Sequence, residues 1–242
     1  MVEWTSPHSG RLLGTHSAGT PTILIASTGW GKTSAFFGPI LVLRHLIKNP
    51  RPNLNIPRLP RKPVALVVTL LIELGYAHSL EIKEYGLKAI CLTAESLHAA
   101  SKEGRNLLQE IRRCEWSIVL LSAERLVSRE VDTILRDSNF QANLIVFGIN
   151  KTHLLVPWGK DFRKVYRQIA LLRFRLPDHT ALVAASATLS EEDDYVALLA
   201  ALKLDANEVH CIRLSCKRPN VRAVFRYLSH TLGSYQFPDT KY

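Results

Sequence analysis

Runs of consecutive apolar residues, rich in Val, Ile and Leu, recur at residues 22–26, 64–69, 88–92, 117–121, 143–149, 180–185 and 209–214. An unbroken run, rather than strict apolar–polar alternation, is what a strand buried on both faces shows. Between most of these runs, at residues 33–48, 71–84, 103–113, 162–173 and 191–203, apolar positions recur with the helical period. Strands alternating with helices predict an α/β fold, a mostly parallel sheet with helices on both faces. Pro39 falls inside the first helical stretch and predicts a kink or a boundary, because proline lacks the backbone donor and its ring clashes with the preceding turn. Residues 49–63 hold five prolines and several basic residues, and read as an extended basic loop. No internal repeat or low-complexity tract appears. One domain is therefore expected over residues 20–215, with a polar segment at 1–19 and a further segment at 216–242.

Composition narrows this. A chain of 242 residues, 47% hydrophobic and 21% charged, is long enough to bury one sizeable core. Its longest apolar stretch, around residues 64–72, is too short to cross a bilayer, so no membrane association is expected. Residues 1–20 are polar and lack the apolar stretch of a secretory signal. Cys91, Cys114, Cys211 and Cys216 show no metal-ligand spacing, and they are read as buried small residues or, for Cys211 and Cys216, as a disulfide. These features place the chain in cytoplasm or nucleus. The net charge of +10 is unevenly distributed: residues 34–72 and 209–238 contain no Asp or Glu at all. Arg44, Lys48, Arg51, Arg58, Arg61 and Lys62 fill the first run, and Arg213, Lys217, Arg218, Arg222 and Arg226 the second. One such run is an ordinary solvated face; two point to a polyanionic partner.

The sequence Ala26-Ser27-Thr28-Gly29-Trp30-Gly31-Lys32-Thr33 follows an apolar strand and opens a helix. Glycines in that setting let backbone N–H groups approach phosphate oxygens, and the helix N-terminus adds positive potential. In this reading residues Thr28 to Thr33 bind the nucleotide, Lys32 reaches the β- and γ-phosphates, and the Thr33 hydroxyl ligates Mg²⁺.

Further segments fall in order along the chain. Asn150-Lys151-Thr152-His153 ends a predicted strand and is followed by Trp158-Gly159-Lys160-Asp161-Phe162-Arg163. Ser122-Ala123-Glu124-Arg125-Leu126, Ser186-Ala187-Thr188 and Lys217-Arg218-Pro219-Asn220 complete the set. Taken with the phosphate loop, these resemble the first RecA-like motor domain of RecQ-like superfamily 2 DNA helicases, over about residues 20–222. The resemblance implies a RecA-like fold, ATP and Mg²⁺ as cofactors, and single-stranded DNA as partner. It also implies that the intact relatives are ATP-dependent 3′–5′ DNA helicases. Asn150 to His153 then correspond to the DEAH box, and Ser186 and Thr188 to the motif coupling nucleotide state to DNA. Trp158, Phe162 and Arg163 correspond to the aromatic-rich loop that contacts DNA.

The departures carry an expectation of their own. The family's Asp and Glu, which hold Mg²⁺ and activate water, are Asn150 and Lys151 here. Leu70 and Ala123 stand where the family has proline, and residues 1–20 hold no adenine-reading glutamine segment. The second RecA-like domain, with its arginine finger, is expected to be absent from this chain. Several residues keep two readings. Trp158 and Phe162 stack on bases or pack in the core or between domains, Ser186 and Thr188 couple to DNA or cap the next helix, and His153 senses phosphate, bridges to Ser186 or serves structure alone. The functional expectation is an ATP-binding, DNA-contacting domain with impaired hydrolysis. The alternatives are a non-enzymatic interaction fragment with a vestigial phosphate loop, or a truncated product. Oligomeric state is not legible.

Overall fold

The computed structural model describes residues 20–50, 59–69, 72–155, 165–189, 192–215 and 222. The segments 1–19 and 216–242 (apart from Arg222), the loop residues 51–58, and Trp158, Phe162 and Arg163 therefore lie outside the described residues. In chain order the elements are β1 (Thr22–Ile25), α1 (Ser34–Lys48), β2 (Val64–Val68), α2 (Ile72–Glu84), β3 (Ala89–Leu92) and α3 (Ala94–Lys102). Then come α4 (Leu107–Arg112), β4 (Ile118–Leu121), α5 (Ala123–Leu126), α6 (Arg129–Leu135), α7 (Ser138–Asn143) and β5 (Leu144–Asn150). A 3₁₀ turn (Thr152–Leu154), α8 (Val165–Arg173), β6 (Ala181–Ser186), α9 (Glu192–Leu202) and β7 (His210–Arg213) follow.

The strands form one sheet in the order β3-β4-β2-β5-β6-β1-β7, and every neighbouring pair is parallel. Side chains alternate across a strand, so each run feeds two cores. Ile23 and Ile25 enter the core shared with Leu126, Val131, Ile169 and Leu198, under α5, α6, α8 and α9. Leu24 and Ala26 enter the opposite core, with Phe36, Phe37 and Ile40 of α1 and Ile82 of α2. The expected α/β architecture, with helices on both faces, is what forms. Only β7, at the sheet edge, alternates between half-buried and exposed positions.

Of the kink or boundary expected at Pro39, the boundary does not form: α1 runs through the proline. An interior proline, which forfeits one hydrogen bond and crowds the preceding turn, costs about 3 kcal/mol; burial of Ala35, Phe36, Phe37 and Ile40 on both sides of the proline offsets it. The helix expected over 103–113 is shorter, Leu107–Arg112, and α3, α5, α6 and α7 were not expected at all. Each of these begins at a side-chain cap: the Thr93, Asn106, Ser122, Ser128 and Asp137 oxygens accept from backbone N–H groups of the first turn. Cys91 and Cys114 are buried free thiols, as read, and burial pushes each up to about 11. Cys211 is exposed. Among the described residues no helix is long and apolar enough to cross a membrane.

Helix α1 presses directly on β5. A Cβ placed on Gly148 would stand 2.6 Å from Phe36 Cδ1 and 3.2 Å from Val67 Cγ1. Gly148→Ala is expected to destabilise by about 1–3 kcal/mol through overpacking. A thermal melt would read this as a midpoint lower by roughly 2–10 °C. An unchanged midpoint would show that Phe36 yields freely to the added methyl group.

Candidate nucleotide site

In an open parallel sheet, ligands gather beyond the carboxyl ends of the strands. Three adjacent strands, β5, β6 and β1, deliver the predicted segments to one such edge: Asn150 to His153, Ser186 to Thr188, and the phosphate loop. Gly29 and Gly31 have φ of 88° and 68°, a left-handed backbone that other residues adopt only with strain. Nothing lies within 4 Å of a Cβ built on Gly29, so backbone conformation, not space, requires glycine there. The loop closes on its own lysine: Lys32 Nζ donates to the carbonyl oxygens of Ala26 at 2.8 Å and Ser27 at 2.7 Å. Thr28, Gly29, Trp30 and Gly31 are exposed. Thr33 stands at the start of α1, but its hydroxyl makes no capping bond there.

That hydroxyl meets a residue that the sequence did not single out. Lys151 N–H donates to Asn150 Oδ1 at 2.9 Å, which fixes the orientation of the amide. Asn150 Nδ2 therefore donates to His78 Nε2, 3.2 Å away on α2. The ring proton then sits on His78 Nδ1, 3.4 Å from both Thr33 Oγ1 and Glu81 Oε2. His78 thus bridges the two side chains at which the resemblance places metal binding, the residue just before α1 and the last of β5. Lys151 itself takes a left-handed conformation, φ 56°. The only sequence signal for His78 was its placement three residues before Glu81 on one face of a predicted helix.

A second cluster joins β5 to β6. Thr152, fully buried, donates to the Ala185 carbonyl at 3.3 Å. His153 Nδ1 lies 2.9 Å from Ser186 Oγ, which also accepts from Thr188 N–H at 3.3 Å. The His153–Ser186 contact, one of the readings of His153, is thus present, and Ser186 serves the local turn as well. Burial holds His153 below its ordinary pKa; the ammonium groups of Lys151 and Lys32 act in the same direction and Asp194 against it. The phosphate loop and the His153–Ser186 pair therefore belong to one electrostatic neighbourhood. Among the described residues no three His, Cys, Asp or Glu side chains gather as a metal-holding group.

A glycine-bearing phosphate loop after a strand beside β6, on an all-parallel sheet with these strand-end motifs, defines a RecA-like P-loop domain. The sequence profile of DEAD/DEAH box helicases matches residues 11–195, and the chain belongs to that family. Its relatives include the ATP-dependent DNA helicase RecQ of Synechocystis sp., 25% identical over 167 residues, 69% of this chain and 34% of the relative. RecQ of Bacillus subtilis is 28% identical over 138 residues, 57% of this chain and 22% of the relative. The chain thus spans about a third or less of the relatives' length, and is RecQ-like over the first RecA-like domain. The crystal structure of the DUF1998 helicase MrfA bound to DNA and AMPPNP shares the fold, with TM-score 0.56 and 17% identity over 80% of this chain and 25% of that one.

Proposed function

We propose that this chain is an ATP-binding, DNA-contacting module of the RecQ-like type in which ATP hydrolysis is impaired. The observation that carries the reading is the end of β5, where Asn150, Lys151 and His78 stand beside an intact phosphate loop. Mg²⁺ is a hard cation that takes carboxylates and phosphate oxygens in octahedral geometry. The donors here are one hydroxyl, engaged with His78, and one neutral amide whose oxygen already accepts from Lys151 N–H. This set does not fit Mg²⁺. Lys151 adds an ammonium where the family has a carboxylate, and a protonated lysine takes no proton from water. Loss of a general base costs ~10²–10⁴-fold. The nucleotide is held instead by Lys32, by the loop N–H groups and by the charge of Lys151. Single-stranded DNA is the proposed partner, with Trp158, Phe162 and Arg163 as its contacts.

Two measurements on the purified chain test this together. Titration with a fluorescent ATP analogue is expected to saturate, while ATP turnover stays at background with or without single-stranded DNA. Failure to bind would favour an interaction fragment with a vestigial loop. Substantial DNA-stimulated turnover would overturn the proposed impairment.

A further inference from the structure

The first acid-free run of the sequence does not lead to the nucleotide. Arg44 and Lys48 at the end of α1, Arg61 and Lys62 just before β2, and Lys88 just before β3 converge on a cleft of about 410 Å³. Glu115 is the one acidic residue in its wall. The cleft floor is the amino end of β2, β4 and β3, three adjacent strands, so it opens at the opposite end of the sheet from Lys32, Asn150 and Ser186. Two of the cations are seated by backbone carbonyls. Lys62 Nζ donates to the Arg113 carbonyl at 3.3 Å, and Arg44 Nη1 to the Gly86 carbonyl at 3.4 Å. Lys62 is further anchored through its backbone N–H, which donates to Asn143 Oδ1 at 2.8 Å. A carbonyl fixes an ammonium or guanidinium in place without cancelling its charge. Among the described residues none of the five cations has a carboxylate at ion-pair distance.

A protein surface ordinarily intersperses charges of both signs. Five cations without an ion-pair partner, two of them held in position, outweigh Glu115 in the wall and Glu110 within electrostatic reach of Lys88, and leave a positive potential that an anion relieves. The cations come from a helix end, a loop and a strand start rather than from a single turn. Such a spread suits several phosphates in succession better than one phosphate group. We propose that this cleft seats the phosphate backbone of a nucleic-acid strand, without reading its bases, remote from the nucleotide. The proposal is independent of whether ATP binds or is hydrolysed.

The test uses the full chain and a fluorescent single-stranded DNA oligonucleotide, with affinity followed against NaCl concentration. Each phosphate neutralised on a single strand contributes about −0.7 to the log–log slope. Arg61→Gln, Lys62→Gln and Lys88→Gln together are expected to make the slope shallower by about 2. A control variant carries Lys83→Gln, Lys102→Gln and Lys203→Gln, which remove the same charge from exposed positions outside the cleft. It is expected to keep the wild-type slope. Thermal midpoints equal to that of the unaltered chain show that each variant is folded, and binding of an ATP analogue is expected to be unchanged in both. Equal loss of slope in the two variants would reduce the cleft to diffuse charge and overturn the proposal. So would an unaltered slope in the cleft variant, or an unaltered chain that fails to bind DNA at low salt.

Discussion

Lys32→Ala is expected to weaken binding of a fluorescent ATP analogue by about ten- to a hundredfold, because a charge-assisted hydrogen bond is worth about 1.5–3 kcal/mol. Lys32 Nζ is held by the Ala26 and Ser27 carbonyls and must exchange them for phosphate oxygens when nucleotide enters. Alanine leaves the two carbonyls facing the incoming phosphates with no cation between them. Those carbonyls belong to the loop, so their repulsion adds to the loss. The fold is not expected to change, since the Lys32 side chain is only part-buried and lies outside both hydrophobic cores. Equal affinity of wild type and variant would remove the phosphate loop from nucleotide binding altogether.

Affinity of the unaltered chain for ATP is expected to be nearly the same in Mg²⁺ and in EDTA. Asn150→Asp with Lys151→Glu should make it depend on Mg²⁺, with affinity several-fold higher when the cation is present. The reasoning is one of charge. Asn150 and Lys151 contribute no carboxylate to the end of β5, and His78 satisfies the polar atoms that a hydrated cation would otherwise engage. Two carboxylates there would repel the triphosphate unless a divalent cation stands between them. In EDTA the double variant should therefore bind worse than the unaltered chain, and in Mg²⁺ better. Isothermal titration in both buffers reads the sign directly. Affinity in the unaltered chain that collapses on adding EDTA would refute the reading of the β5 end. Mg²⁺-insensitive binding by both proteins would refute the role given to Lys151 while leaving the impaired hydrolysis untouched.

The strands were legible because a central parallel strand must be apolar on both faces. The run at 64–69 became Val64–Val68 and the run at 180–185 became Ala181–Ser186, each within a residue. The short helices between β3 and β5 were not. α5 and α7 span four and six residues, too few for a helical period to show, and their signal lies in the caps Ser122 and Asp137 rather than in apolar spacing. At Pro39 the absence of a boundary was not legible for a different reason: local propensity carries no information on the burial of Phe36, Phe37 and Ile40. In the site, Lys32, Asn150 and Ser186 were legible because each sits in a contiguous motif at a strand end. His78 was not, since its partners Thr33 and Asn150 lie far away in sequence and only the packing of α2 over β3 and β4 brings them together. The division of the basic residues was hidden likewise. Charge runs are visible in one dimension, but which end of the sheet they reach depends on strand order.

That order also has a temporal side. Among the described residues the first strand to be synthesised, residues 22–25, pairs only with residues 183–186 and 210–213, which emerge after all the other described strands. Until those arrive, Ile23, Leu24 and Ile25 are an apolar, β-prone segment with unpaired backbone groups on both sides. The middle of the chain is different: β2, β3, β4 and β5 pair among themselves and can assemble as soon as residue 150 is out. The nascent protein would then carry a formed half-sheet and a waiting N-terminal strand. Its capacity to hold phosphate would arise last, in the single closure that slots β1 between β6 and β7.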